Sequence, residues 1–133
     1  MTLISKSARI SRSQGESMLA GPGIKIGRHT FTAPTRLDTW KAPRAGGVYV
    51  VMTTDPKKPE LPYKVLYVRQ TESFVDERIG PDHHAFGQWF ILGLLGHSML
   101  YISTCTIEEE NMRRNVEIQL VASFMPQCNV FGR

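Results

Sequence analysis

The sequence contains few cysteines and no long run of apolar residues. Its two cysteines, Cys105 and Cys128, are too few for a disulfide framework or a four-cysteine zinc site, and they favour a reduced, intracellular setting. The longest apolar run, from Trp89 to Leu95, is interrupted by Gly93 and is far shorter than the roughly 20 residues of a membrane-spanning helix. The N-terminus has no apolar stretch like that of a secretory signal peptide. We therefore expect a cytoplasmic protein with no membrane partner.

The chain also has only a small excess of positive charge. It carries 16 Lys and Arg residues against 12 Asp and Glu residues, a formal net charge of +4. Such an excess suits a polyanionic partner, but it also occurs on proteins that bind no nucleic acid. The length of 133 residues and the hydrophobic content of 41% predict one compact globular domain rather than a disordered chain.

The first third of the chain differs in composition from the rest. We predict an N-terminal arm and connector over residues 1–45 and a compact domain over residues 46–133. Residues 1–22 are polar and rich in serine, which is typical of a loosely packed terminal arm; a nucleic-acid-binding arm is the alternative. Residues 24–32 alternate apolar and polar side chains, which predicts one additional strand with a buried face. Residues 33–45 are expected to form an ordered connector.

The compact domain begins with two β-branched runs on either side of a proline-rich loop, and this pattern predicts a hairpin. In chain order the predicted elements are strands over 47–53 and 64–70, helices over 73–79 and 83–95, a strand over 99–105 and a helix over 107–124. Thr106 and Glu109 have the spacing of a capping box for the last helix. The expected fold is α/β (α+β): a small, mostly antiparallel three-stranded sheet flanked by helices, with an extra N-terminal arm and strand.

Strand alternation predicts which side chains share a face of the sheet. In the first core strand one face carries Val48, Val50 and Met52, and the other carries Tyr49 and Val51. In the second, Val65, Tyr67 and Arg69 are expected on one face, with Leu66 and Val68 on the other. At 100° per residue the apolar stripe of the last helix comprises Met112, Val116, Leu120 and Phe124, and Glu117 lies beside that stripe, partly shielded from water.

The order of these parts resembles the GIY-YIG nuclease family. Gly47-Val48-Tyr49 stands where the first tripeptide of that family would be, and Tyr67-Val68-Arg69 stands where the second would be. The following segment ends with Arg78, and Glu117 and Pro126-Gln127-Cys128-Asn129 resemble the later motifs in order and spacing. The resemblance covers about residues 46–129 and implies a GIY-YIG-like fold. Arg69 departs from the pattern, because the family carries glycine there.

The resemblance implies a metal-dependent endonuclease that hydrolyses DNA phosphodiester bonds. The implied catalytic residues are Tyr49, Tyr67, Arg78, His83, His84 and Glu117. A tyrosine would take a proton from the attacking water, which requires a nearby cation to lower the phenol pKa from about 10. Arg78 would hold the phosphate, and either His83 or His84 would shuttle the proton. Glu117 would hold Mg²⁺ or Mn²⁺, and Asn129 would bond to a loop near the site.

Each of these residues also has a purely structural interpretation. The tyrosines can be core aromatics, Arg78 can be a solvated arginine paired with Glu77 or Asp82, and Glu117 can pair with Arg113 one turn earlier. Zinc held by a histidine with Cys105 or Cys128 is disfavoured, because no pair of these residues has the spacing of a zinc site. No aspartate–glutamate cluster of the kind needed for two metals is present.

Arg69 leaves two outcomes open. It can contact phosphate as a second clamp, or it can obstruct the groove and pair with Glu117, which is the outcome we favour from the sequence. Obstruction would leave a catalytically impaired module of the same fold that binds nucleic acid or another protein. Arg69 and Asn129 are therefore treated as substrate-binding candidates, with DNA as the expected partner.

Overall fold

A five-stranded antiparallel sheet forms the centre of the computed structural model, which describes residues 9–10, 23–54, 63–95 and 99–131. The strands are β1 (Arg9–Ile10), β2 (Gly23–Ile26), β3 (His29–Thr32), β4 (Thr35–Arg36), β5 (Gly47–Thr54), β6 (Tyr63–Thr71) and β7 (Leu100–Thr106). The helices are α1 (Phe86–Leu95), α2 (Glu110–Phe124) and α3 (Gln127–Phe131). The order in the sheet is β1-β6-β5-β7-β4, and β2 and β3 form a separate hairpin.

The expected class, a small mixture of helices and antiparallel strands, is confirmed. The three predicted core strands correspond to β5, β6 and β7, and β1 and β4 extend this sheet at its two edges. Apart from Arg9–Ile10, the predicted arm over residues 1–22 lies outside the described residues. No helix in the described part of the chain is long and apolar enough to cross a membrane.

The prediction of one strand over residues 24–32 is wrong, because the chain reverses in the middle of that segment. Gly27 has φ of 63°, a left-handed conformation that glycine adopts without steric cost. The turn produces the β2–β3 hairpin, in which Ile24 pairs with Phe31 and Ile26 with His29. Ile24, Ile26 and Phe31 are buried in the same core cluster as Val48 of β5.

Gly46 and Gly47 allow the strands of the sheet to approach closely. A Cβ atom built on Gly47 would lie 1.9 Å from the carbonyl oxygen of Cys105, and one on Gly46 would lie 2.6 Å from that of Glu72. Any side chain at these positions would therefore displace backbone. The two glycines keep the start of β5 in contact with both neighbouring segments.

A bulge in β6 changes the face of two residues. The register passes from Val51–Tyr67 to Met52–Val65, so Leu66 is the extra residue. As a result Val65 lies in the cluster that packs on α2, and Leu66 lies with Tyr67. The predicted faces of Val65 and Leu66 are wrong for this reason, since strict alternation fails at a bulge.

The two faces of the sheet are covered by different elements. On one face, here called the α2 face, Val48, Val50, Met52 and Val68 pack with Val116, Leu120 and Phe124 of α2. On the other, here called the tyrosine face, Tyr49, Val51 and Tyr67 pack with Phe74, Ile79 and Trp89. Trp89 comes from α1, and Phe74 and Ile79 come from the segment between β6 and α1. The predicted faces of the β5 residues are confirmed.

The helix predicted over residues 73–79 is a turn. Its capping interaction does form, because the Asp76 N–H donates to Ser73 Oγ at 3.1 Å. The helix then fails to continue, since Arg78 has φ of 56° and leaves the right-handed region. The next helix, predicted from residue 83, begins at Phe86.

The last helix begins three residues later than predicted. Glu109 is its N-cap and accepts from the Met112 N–H at 2.8 Å, whereas Thr106 is the final residue of β7. The predicted capping box is therefore wrong. The predicted stripe is also wrong at Met112, which is 56% exposed. Arg113 takes the buried position in its place.

Candidate active site

Tyr49 lies at the centre of a hydrogen-bonded cluster on the tyrosine face. Its hydroxyl donates to Glu77 Oε2 at 2.7 Å and lies 2.9 Å from His83 Nε2. Tyr49 is in the central strand β5, Glu77 is in the turn after β6, and His83 precedes α1. The fold thus brings together three groups that are 28 and 34 residues apart in sequence.

The tautomer of His83 follows from its backbone contact. The Ala85 N–H donates to His83 Nδ1 at 3.0 Å, so a neutral His83 ring carries its proton on Nε2. Nε2 is therefore the donor to the Tyr49 hydroxyl oxygen, and Tyr49 in turn donates to Glu77. The ring of His83 is buried and packs against Trp89, with ring centroids 4.7 Å apart.

Arg69 completes the cluster from the neighbouring strand. It pairs across strands with Tyr49, and its Nε lies 3.5 Å from Glu77 Oε2, with 37% of the Arg69 side chain exposed. Arg69 shares the face of Tyr67, as predicted, but its ion-pair partner is Glu77 and not Glu117. The guanidinium is thus both part of the cluster and accessible to a ligand.

The charge of Glu77 is stabilised by its neighbours. Burial alone would raise the pKa of this carboxyl. The neighbouring polar groups of His83, Tyr49 and Thr71, of which Tyr49 donates a hydrogen bond at 2.7 Å, together outweigh burial and hold the pKa below its ordinary value. The positive charge of Arg69 acts in the same direction. Glu77 is consequently ionised at neutral pH.

Both tyrosines have raised pKa values, so Arg69 alone does not provide the lowering that a catalytic phenol requires. Burial raises the pKa of Tyr49 most, and the charge of Glu77 adds to this effect. Burial also raises the pKa of Tyr67, and the opposing charge of Arg69 is too weak to reverse it. The buried Tyr67 hydroxyl has no hydrogen-bond partner within the described part of the chain. Neither phenol is therefore an anion near neutral pH.

Glu117 and Asn129 bind the outer edge of β6. Glu117 Oε2 accepts from the Gln70 N–H at 3.2 Å. Asn129 accepts from the Val68 N–H at 2.8 Å and donates to the Val68 carbonyl at 2.7 Å. In the part of the chain that the structure describes, β1 pairs with β6 only at Tyr63 and Lys64, so these side chains satisfy backbone groups of β6 that no strand pairs. Asn129 thus bonds to a strand next to Arg69, where a loop was expected.

The ion pair between Glu117 and Arg113, which was the structural alternative for Glu117, does not form. Arg113 donates to Gln70 Oε1 at 3.1 Å and to the Glu108 carbonyl at 2.6 Å, and it makes no ion pair with Glu117. Glu117 is partly buried, and its charge raises the pKa of Tyr67. The carboxylate therefore lies within electrostatic reach of the tyrosine face.

Two predicted site residues lie on the surface beside the cluster. Arg78 is exposed, and within the described residues it forms no ion pair with Glu77 or Asp82. His84 is exposed and stacks on the buried ring of His83, with centroids 4.4 Å apart. Of the two histidines, the structure therefore brings His83 to the tyrosines.

No cluster of three His, Cys, Asp or Glu side chains able to hold a metal occurs among residues 9–10, 23–54, 63–95 and 99–131. Glu117, with its second carboxylate oxygen, is the candidate ligand that the sequence indicated. Magnesium often takes one or two protein carboxylates and completes its shell with water and phosphate, and this donor set is compatible with such loose binding.

Sequence reasoning missed Glu77. The sequence named it only as a possible ion-pair partner of Arg78. The one usable signal was its place between Tyr67 and His83, but its partners come from β5, β6 and the segment before α1. No local pattern reveals that convergence.

No protein-family model matches this chain, and no curated protein and no solved structure matches it either.

Proposed function

We propose that this protein is a metal-dependent endonuclease of the GIY-YIG type that hydrolyses DNA phosphodiester bonds. The observation that supports this most is the convergence of Tyr49, Tyr67, His83 and Arg69 around the carboxylate of Glu77. A structural core can satisfy two tyrosines without a buried histidine and a partly exposed ion pair beside them. Buried or half-buried ionisable groups collected in this way are typical of reactive sites.

Arginine side chains are the proposed phosphate ligands. Arg69 is partly exposed beside the cluster, and Arg78 is exposed on the turn that also carries Glu77. A guanidinium binds phosphate through two parallel hydrogen bonds and stabilises charge on the leaving group. The positive φ of Arg78 supports a functional role, since strained non-glycine residues concentrate at such sites.

Glu117 is the proposed metal ligand. One of its oxygens holds the Gln70 N–H, which fixes the carboxylate at the edge of β6 and leaves the other oxygen for a cation. A divalent cation held there would supply positive charge to the phosphate of the substrate. Asn129 supports the same strand through both of its hydrogen bonds to Val68.

The second candidate is a catalytically impaired module that binds nucleic acid. The Arg69–Glu77 ion pair favours it, because arginine occupies a position where the family has glycine and closes one side of the cluster. Both tyrosines are 0% exposed. A protein-interaction role on the same fold is the third possibility.

Plasmid cleavage distinguishes these functions. The purified protein would be incubated with supercoiled plasmid in Mg²⁺ or Mn²⁺, with EDTA as the control. We expect nicked and then linear DNA, and no cleavage in EDTA. If plasmid stays intact even at high Mn²⁺ while the protein retards DNA in a gel, the binding module is correct.

A further inference from the structure

The carboxylate of Glu77 is the part of the cluster that combines charge with access to solvent. Tyr49 is 0% exposed and His83 is buried, whereas the Glu77 side chain is 19% exposed. A water molecule attacking a bound phosphodiester must touch the group that takes its proton. Accessibility therefore favours Glu77 over Tyr49.

The contacts of Glu77 are concentrated on one of its two oxygens. Tyr49 donates to Oε2 at 2.7 Å, Arg69 Nε lies 3.5 Å from Oε2, and His83 Nε2 lies 3.6 Å from it. Because these three contacts all fall on Oε2, we assign the attacking water molecule to Oε1. The three neighbours hold the carboxylate in place from β5, β6 and the segment before α1.

The hydroxyl of Tyr49 is already occupied. It donates its only proton to Glu77 and accepts from His83, whose proton is fixed on Nε2 by the bond from Ala85 to Nδ1. His83 is therefore not an acceptor for the Tyr49 proton. The raised pKa of Tyr49 further disfavours a phenolate, so this residue is suited to orienting Glu77.

Arg69 provides the matching position for the phosphate. Its Nε faces Glu77, and 37% of its side chain is exposed, so a ligand can reach the guanidinium and its N–H donors. A single water molecule can contact both a phosphate bound there and the Glu77 carboxylate if they lie about two hydrogen-bond lengths apart, roughly 5–6 Å.

We infer that Glu77 is the general base of the reaction proposed above and that Tyr49 and His83 are positioning residues. One O–H bond of the attacking water breaks and its proton goes to Glu77. The water oxygen uses its electron pair to form a bond to phosphorus. The opposite P–O bond breaks, and its electrons stay on the leaving oxygen, which takes a proton from solvent. Glu77 then releases its proton to solvent.

The charged and titratable groups around Glu77 are consistent with this role. Arg69 is the neighbouring cation, and Tyr49 and Tyr67 are neutral phenols. The Nε2–H of His83 donates to the Tyr49 hydroxyl. These groups stabilise the ionised carboxylate, and this is the state that accepts a proton.

The test compares plasmid cleavage by Glu77→Gln, Tyr49→Phe and Glu110→Gln in Mg²⁺. The first keeps the shape of the side chain but loses the base, so its rate should fall by about 10²–10⁴-fold with DNA affinity retained. Tyr49→Phe removes two hydrogen bonds, one to Glu77 and one from His83, but keeps the carboxylate, so it should cost at most about tenfold. Glu110→Gln removes a carboxylate from an exposed ion pair with Arg114 and should cleave at the wild-type rate.

Chemical rescue separates a base from a merely structural residue. Formate should restore part of the cleavage by Glu77→Ala in proportion to its concentration, and it should not rescue Tyr49→Phe; chloride at equal ionic strength is the control. Two results with an active wild type would overturn the role of Glu77 and leave the proposed function standing. The first is that Glu77→Gln cleaves as fast as wild type. The second is that Tyr49→Phe is as impaired as Glu77→Gln and formate rescues neither variant. A wild type that cleaves nothing overturns both.

Discussion

Replacing Arg69 by glycine introduces the residue that the GIY-YIG family, which the sequence resembles, carries at this place, and the structure indicates what should follow. The Arg69 side chain is a cross-strand neighbour of Tyr49, pairs with Glu77 at 3.5 Å and is 37% exposed. The change removes a half-exposed ion pair, the packing of the aliphatic part of the side chain and one candidate phosphate ligand. Stability, DNA affinity and cleavage should therefore all change.

The loss of stability should be small. Glycine in a strand costs about 0.5–1 kcal/mol, and a partly exposed ion pair contributes about 0–1 kcal/mol. We expect Arg69→Gly to lower the free energy of unfolding by about 0.5–2 kcal/mol, as measured by urea denaturation. A matched control is Arg36→Gly, because Arg36 also lies in a strand and pairs with an exposed carboxylate, Asp38, at 2.6 Å. Its strand, β4, is at the edge of the sheet away from β6.

The effect on DNA distinguishes a phosphate ligand from an obstruction. If Arg69 contacts phosphate, Arg69→Gly lowers DNA affinity and reduces the slope of log affinity against log salt by about one, while Arg36→Gly leaves that slope unchanged. Fluorescence anisotropy with a labelled duplex at four salt concentrations measures both. An unchanged slope, together with faster plasmid cleavage by Arg69→Gly than by wild type, would refute the reasoning and identify Arg69 as an obstruction.

Three further predictions follow from single contacts. Asn129→Ala leaves the buried N–H and carbonyl of Val68 unpaired and should lower the free energy of unfolding by about 2–4 kcal/mol in urea. The control is Asn111→Ala at an exposed position, which should change it by less than about 0.5 kcal/mol. Equal effects of the two substitutions would contradict the structure. The folded-state pKa of Glu77 is depressed. Its contribution to stability is therefore present above the ordinary glutamate pKa and is lost as pH falls through the lowered value. Thermal melts of Glu77→Gln should consequently depend less on pH in acid than those of wild type. Arg78→Lys keeps the charge but loses the two-pronged geometry, so cleavage should fall by about 100-fold with little loss of DNA binding; a parallel fall in both would make Arg78 an affinity contact only.

The strands could be predicted from the sequence because their signal is local. The β-branched and aromatic runs of β5, β6 and β7 specify strands whatever surrounds them, and the predicted ranges agree with the observed ones to within a residue or two. The Gly27 turn and the bulge at Leu66 were missed. Both depend on where a strand meets its partners, which a repeating pattern of apolar residues does not encode.

The helices were harder to predict because tertiary contacts decide their ends. Ser73 offers a good cap, yet the segment remains a turn and leaves the helical region at Arg78. In α2, Arg113 is buried in place of Met112 because its guanidinium reaches Gln70 on β6 and backbone carbonyls before the helix. A long cation with such partners can replace an apolar residue in a buried stripe.

In the candidate site, too, the features set by local sequence could be predicted and those set by tertiary contacts could not. Strand alternation correctly put Tyr67 and Arg69 on one face, and the sequence named His83 as one of two histidines. The spacing of residues in the sequence could not predict that Arg69 forms an ion pair with Glu77. Glu77 lies in a turn, and no short sequence pattern predicts the geometry of that turn. It also could not give the depth of Tyr49, whose burial raises its pKa.

The most direct test of the proposed nuclease activity is plasmid cleavage by wild type and Glu117→Gln at matched salt and Mg²⁺. The amide oxygen of glutamine can still accept from the Gln70 N–H, so the fold should be retained while the charge for a cation is lost. We predict that wild type nicks supercoiled plasmid, that Glu117→Gln is at least about 100-fold slower, and that calorimetry detects Mg²⁺ binding only to wild type. Equal cleavage by the two proteins, or no cleavage by either at high Mn²⁺, would contradict the account.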